Sequence, residues 1–262
     1  MRSGADVQAN LDEAERLLTE AADGGADIAA LPETFIYLGP VADIAEVAEP
    51  VPGGPTCERL AKISLERELW VLGGSLPERD GERVYNTSPL FDRRGDLAAR
   101  YRKIHLYDVD LPNQPPFRES ASYAHGGELV THETDLGRVG LSVCYDVRFP
   151  ELYRGLMALG AELFFVPAQF QFETGKDHWH VLLRARAIEN QCFVAAPAQW
   201  GEFGAGRKSY GHSLVVDPWG RILVEAPEEG TGVWFADLDL GHLRKIRDRL
   251  PALRHRRLGL VC

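Results

Sequence analysis

Residues 140–151, GLSVCYDVRFPE, constrain this 262-residue chain more than any other stretch. An apolar run ends on Cys144. Aromatic and charged residues follow at once, and then Pro150 and Glu151, a pair suited to the first turn of a helix. A strand that feeds a helix in this way puts its last residue at the carboxyl edge of a sheet, where sites in α/β proteins form. A buried strand has no structural need of a thiol at its exit, whereas a nucleophile belongs there. Taken alone, an apolar-flanked cysteine is more often a small buried hydrophobe, so the rest of the chain has to decide.

The flanking pattern is layered. Residues 7–24 predict a helix with Leu11, Ala14, Leu17, Leu18 and Ala21 on one face, stopped by Gly24 and Gly25. Residues 27–31 read as a short buried strand closed by Pro32, 57–68 as a second amphipathic helix and 69–76 as a second buried strand. Residues 84–91 and 97–103 predict a hairpin around DRRGD, 92–96. The Pro- and Gly-rich stretch 107–127 reads as a long loop of the kind that carries function. Beyond it the reading alternates: strand 139–144, helix 150–159, strand 161–167, helix 177–190, strand 191–196. A hairpin of 211–217 and 221–225 turns at Pro218-Trp219-Gly220, and 232–237 reads as a third strand. Helix–strand alternation mixed with hairpins predicts an α/β architecture with mixed sheets, and residues 1–262 are expected to form one domain.

Composition excludes several classes. The net charge of −10 argues against a nucleic-acid or anionic-membrane binder. The one basic run, 242–257, carries seven Lys/Arg against one Asp and reads as a solvated helix and tail. Cysteines at 57, 144, 192 and 262 form no CxxC pair, and no run of 18 apolar residues appears, so the expectation is a cytoplasmic chain with reduced thiols. His178 and His180 stand two apart on a predicted helix and so face different sides, which predicts no metal site. The pairs Gly53-Gly54 and Gly73-Gly74 make no phosphate-binding motif, so no cofactor is expected.

If Cys144 is a nucleophile, it needs a base and an oxyanion partner, because a free thiol is mostly protonated at neutral pH. Glu33 after the first strand, Lys103 at a hairpin end and Glu119 in the long loop are candidates by position. Each of them alone also fits a surface residue.

Four segments settle the choice together. LPETF (31–35), YRKIHLYD (101–108), FRES (117–120) and GLSVCYDVRFPELY (140–153) resemble, in order, the motifs of the nitrilase superfamily of carbon–nitrogen hydrolases. The resemblance runs from about residue 9 to residue 257. It implies a four-layer αββα sandwich. It also implies Glu33 as general base, Lys103 as oxyanion stabiliser, Cys144 as nucleophile and Glu119 as the glutamate that orients Lys103 and the substrate. The run CYDVRFPELY, with Tyr145 where nitrilases proper carry Trp, is similar to the amidase branch that includes deaminated glutathione amidase and omega-amidase. Residues 174–194 and 207–220 lean toward the former.

The resemblance therefore implies a cysteine-dependent amidase that releases ammonia from a small carboxamide, with deaminated glutathione the leading substrate and alpha-ketoglutaramate the alternative. An inactive scaffold or binding protein is the non-enzyme alternative. Arg148 is the expected partner of a substrate carboxylate, with a structural ion pair to Glu151 as its other reading. Tyr145 and Phe170 are expected to line the pocket. A homodimer or larger assembly is implied, with residues 242–262 at the interface. One departure stands out. The apolar strand that opens such chains has no counterpart before residue 3, so the expectation is a fold lacking its first strand, from a start assigned too late or a shortened product.

Overall fold

A computed structural model describes residues 1–111, 116–203 and 206–258. Cys262 and the last residues of the expected interface segment lie outside that range, as do four residues of the 107–127 stretch. The first half of the chain builds one sheet. Helix α1 (Val7–Asp23) leads into β1 (Ile28–Ala30). A 3₁₀ turn, the short α2 (Ile44–Val47) and α3 (Pro55–Arg67) follow. Then come β2 (Trp70–Leu72), β3 (Leu76–Asp80), β4 (Arg83–Phe91) and β5 (Leu97–Arg102). The long β4 pairs with β2, β3 and β5, and β1 joins β2 at the sheet's end. The pair β1–β2 is parallel and the rest antiparallel.

The second half builds the other sheet. Two-residue strands β6 (Asp108–Val109) and β7 (Phe117–Arg118) precede it. Next come β8 (Thr131–Thr134), β9 (Gly137–Leu141), α4 (Pro150–Ala158), β10 (Leu163–Phe165), α5 (Phe172–Asn190) and β11 (Phe193–Ala196). The hairpin of β12 (Trp200–Phe203) and β13 (Arg207–Tyr210) stands apart. The chain then adds β14 (Leu214–Val216), β15 (Ile222–Glu225) and α6 (Leu240–Arg249). The sheet order is β15-β14-β11-β10-β9-β8, with β9, β10 and β11 parallel. Among the described residues no helix is long and apolar enough to cross a membrane.

Period-2 alternation makes the layers. Val71 and Phe91 share a cluster with Leu17 and Leu18 of α1 and Leu60 and Ile63 of α3. Their neighbours Trp70, Leu72 and Leu90 belong instead to the cluster that holds Leu141 and Phe165 of the second sheet. On the far side of that sheet, Phe164 packs on Tyr153 of α4 at 5.2 Å between ring centroids. Leu152 and Leu156 of α4 and Trp179 and Leu183 of α5 complete this cover. The result is helix, sheet, sheet, helix, with the central strands buried on both faces.

Three expectations need correction. The stretch 107–127 contains the β6–β7 pair and a 3₁₀ turn, because Asp108 accepts from the Ser120 N–H and hydroxyl and gives it local order. Helix α5 starts at Phe172, five residues before the expected 177, since the Gln171 carbonyl already accepts the Gly175 N–H. Residues 232–237 form no strand, because no neighbouring strand lies in hydrogen-bonding register with them.

Among the described residues α1 is the first element. Strand β1 is half-buried and ends its sheet, with its outer edge unpaired among the described residues. Between that edge, the second sheet and residues 232–240 lies a groove of about 710 Å³ lined by Ile28, Ala30, Val139, Leu163, Val215 and Val233. Met1 lines it too, and its carbonyl accepts from the Trp200 backbone N–H.

Phe164 is fully buried between the second sheet and its helices. Phe164→Ala is expected to destabilise the chain by about 3–5 kcal/mol, read as a lower midpoint in urea unfolding. A loss under about 1 kcal/mol would mean the central strand is not packed as described.

Candidate active site

Backbone geometry brings four side chains to one point. Glu33 follows β1 on a turn whose next residue, Thr34, is left-handed at φ 53°. Gly74 packs against that turn: it is itself at φ 48°, and a Cβ there would run into the Pro32 carbonyl. Lys103 follows β5, with its backbone N–H donating to the Asn86 carbonyl at 2.9 Å. Glu119 opens the 3₁₀ turn after β7. Cys144 lies three residues past β9, where the chain turns into a short 3₁₀ helix, and it too is left-handed, at φ 46°.

Lys103 is the hub. Its Nζ donates to Glu33 Oε1 at 2.8 Å and to Glu119 Oε1 and Oε2 at 2.9 and 2.8 Å. All three side chains are buried. Burial by itself would lower the lysine's pKa, but Glu119 and Glu33 outweigh it and hold the ammonium well above its usual range. Other donors share the two carboxylates. Asn86 Nδ2 bridges them at 3.0 Å each, Gln169 N–H donates to Glu33 Oε2 at 2.8 Å, and Tyr107 N–H donates to Glu119 Oε2 at 2.6 Å.

The Cys144 thiol faces this cluster. Burial, then the Glu33 carboxylate, push its pKa well above the ordinary thiol value, and Lys103 only partly offsets them. That direction favours the protonated thiol, which donates to the Gln169 carbonyl oxygen at 3.7 Å. Asp146, fully buried, holds the bend in place. Its Oδ2 accepts from Val143 N–H at 2.8 Å and Tyr101 O–H at 2.7 Å, and its Oδ1 accepts from His105 N–H at 3.1 Å.

Beside Cys144 the cavity is small, about 10 Å³, and is lined by Tyr107, Tyr145, Arg148, Gln169, Phe170 and Thr174. That is room for about one water. The three residues expected around a substrate, Tyr145, Arg148 and Phe170, thus meet at one wall. The groove beside β1 is far larger, but the four charged and thiol groups lie outside its lining. Arg148 makes no ion pair with Glu151 or any other acid among the described residues. It reaches His178 Nδ1 at 3.2 Å, and its guanidinium sits 5.7 Å from the Tyr145 ring and 5.1 Å from the Phe170 ring. Phe170 is buried and also packs on Trp179, so it serves the core as well as the cavity wall. His178 and His180 have separate neighbours, Arg148 and Glu225.

Sequence reasoning misses Asn86 and Asp146. A trace of Asn86 is visible: Asn86, Thr87 and Ser88 are three consecutive polar residues inside a strand, and all are buried. Asp146 stands two residues past the thiol with no pattern of its own.

A buried thiol beside a carboxylate and an ammonium, on a four-layer sandwich, suits a hydrolase that works through a covalent thioester. The chain belongs to the carbon–nitrogen hydrolase family, whose sequence model matches residues 1–248. It is an enzyme acting on amides. It is 41% identical over 262 residues to deaminated glutathione amidase of Synechocystis sp., covering 98% of this chain and 95% of that one. Omega-amidase of Mus musculus is 39% identical over 251 residues, covering 96% and 90%. Among solved structures, the NitFhit protein of C. elegans superposes with a TM-score of 0.91 at 34% identity, covering 99% of this chain and 65% of that longer one.

The raised thiol pKa has a direct consequence for Glu33→Gln. That substitution removes the second cause of the shift, while burial, the larger one, remains. Alkylation of Cys144 by iodoacetamide should then be slow at neutral pH and should keep rising beyond pH 9.0, the ordinary thiol value. A plateau at neutral pH would show a thiolate already formed at rest.

Proposed function

We propose that this chain hydrolyses the side-chain amide of a small carboxylate-bearing molecule, with deaminated glutathione as the preferred substrate. Cys144 attacks the amide carbon while Glu33 takes its proton. The oxyanion forms beside Lys103 and the Tyr145 N–H. Collapse breaks the C–N bond, Glu33 returns the proton, and ammonia leaves. Glu33 then deprotonates a water that attacks the thioester. The acid departs and the thiol is restored, so amide plus water gives acid plus ammonia. Glu119 keeps Lys103 aimed at the reacting carbon.

The observation that carries this reading is the Glu33–Lys103–Glu119 cluster sealed against Cys144. Similarity to the Synechocystis enzyme supports deaminated glutathione, and similarity to the mouse enzyme keeps alpha-ketoglutaramate as the second reading. Ammonia release from both, beside a simple nitrile, is the test. One amide should be favoured, the nitrile should be inert, and Cys144→Ala should abolish release. Activity surviving in Cys144→Ala would end the proposal.

Arg148, free of any acid partner among the described residues, is proposed to bind the substrate's carboxylate. A charge-assisted hydrogen bond contributes about 1.5–3 kcal/mol, so Arg148→Leu should raise KM about 10- to 100-fold and change kcat much less. Equal losses in kcat and kcat/KM would place Arg148 elsewhere in the mechanism. We further propose a single-domain cytoplasmic homo-oligomer in which the segment from residue 242 lies at the interface.

A further inference from the structure

Away from Cys144, three side chains from distant parts of the chain converge. His180 lies midway along α5, His212 follows β13, and Glu225 ends β15. The companions of His180 are thus not on its own helix. His180 Nε2 is 2.9 Å and His212 Nδ1 is 2.7 Å from the same oxygen, Glu225 Oε1. One ligand atom from each lies within 4.8 Å of the others. Both rings are held in place. The Tyr210 ring lies 4.4 Å from the His212 ring and 6.0 Å from the His180 ring. His212 is left-handed at φ 53°, and its carbonyl accepts from Trp179 Nε1 at 2.9 Å. Glu225 Oε2 takes no hydrogen bond from the described residues.

We propose that His180, His212 and Glu225 form a binding site for a divalent transition metal of the zinc type. Two imidazoles and one carboxylate are the protein ligands of a tetrahedral centre with one open position for water. Imidazole selects zinc, cobalt, nickel or copper over magnesium and calcium, which take oxygen ligands. The three side chains are 28%, 20% and 33% exposed, so an ion has access from solvent. A bound ion would tie α5 to the β14–β15 hairpin. That helix begins just after Phe170 and Gln171 of the cavity wall, and it carries His178, the partner of Arg148. The site thus adds a clamp behind the cavity at Cys144. It takes no part in the chemistry proposed above, and its test does not depend on that chemistry.

The test is titration of the metal-free full chain with Co²⁺ and Zn²⁺, followed by calorimetry, thermal unfolding and the cobalt absorption spectrum. One equivalent should bind, raise Tm and give tetrahedral d–d bands with no sulfur-to-cobalt charge transfer. His180→Ala and Glu225→Gln should each weaken binding about tenfold or more, while their metal-free Tm and circular dichroism confirm that they fold. No binding at millimolar metal, undiminished binding by both variants, or a charge-transfer band marking a cysteine ligand would each overturn the proposal.

Discussion

One buried ammonium between two buried carboxylates governs this structure. Without Lys103, Glu33 and Glu119 would face each other with no counter-charge, and breaking a buried pair of this kind costs about 3–5 kcal/mol. The fold meets the remaining charge with donors from several elements: Asn86 from β4, Gln169 N–H from the segment after β10, and Tyr107 N–H from the segment before β6. The cluster therefore closes only when the two sheets and the intervening loops are in register. The thiol feels the same arrangement: burial first, then Glu33, raise the Cys144 pKa, and Lys103 only partly offsets them.

Much of this is legible in the sequence because strong local signals agree with the tertiary outcome. The apolar face of 7–24 becomes α1 with nearly the expected bounds, and the strand exits at 31–33 and 103 lie where the motifs place them. Local signals fail where partners decide. Residues 232–237 have a strand-like composition, but a strand exists only with a neighbour to bond, and none is in register. The hairpin β12–β13 is hidden for the converse reason. Trp200–Phe203 and Arg207–Tyr210 lack a long apolar pattern, and they pair because the chain folds them together. The convergence of His180, His212 and Glu225 cannot be read from spacing, since the bonded positions stand 45 and 13 residues apart.

The same dependence on partners shapes the groove beside β1. Among the described residues no strand bonds the outer ladder of β1, which leaves backbone groups beside an apolar trough without strand partners. The side chains on that edge are correspondingly less buried than those of the central strands, as half-buried Ile28 against fully buried Val71 shows. Glu33 sits just past the carboxyl end of this same β1, yet its carboxylate is buried. Its partners come from elsewhere, from β4, from the exit of β5 and from the segment after β10, so the site does not lean on the open edge.

Cys144 itself is held in a backbone conformation that L-residues avoid, at φ 46°. Such a residue stores about 1–3 kcal/mol of strain, and a glycine or asparagine at this position would relieve it. The fold on its own would thus favour a residue that cannot attack a carbonyl carbon. Stability and reactivity pull in opposite directions at this one bend. On the backbone's account alone, a copy of the chain with glycine at this bend would be the more relaxed one.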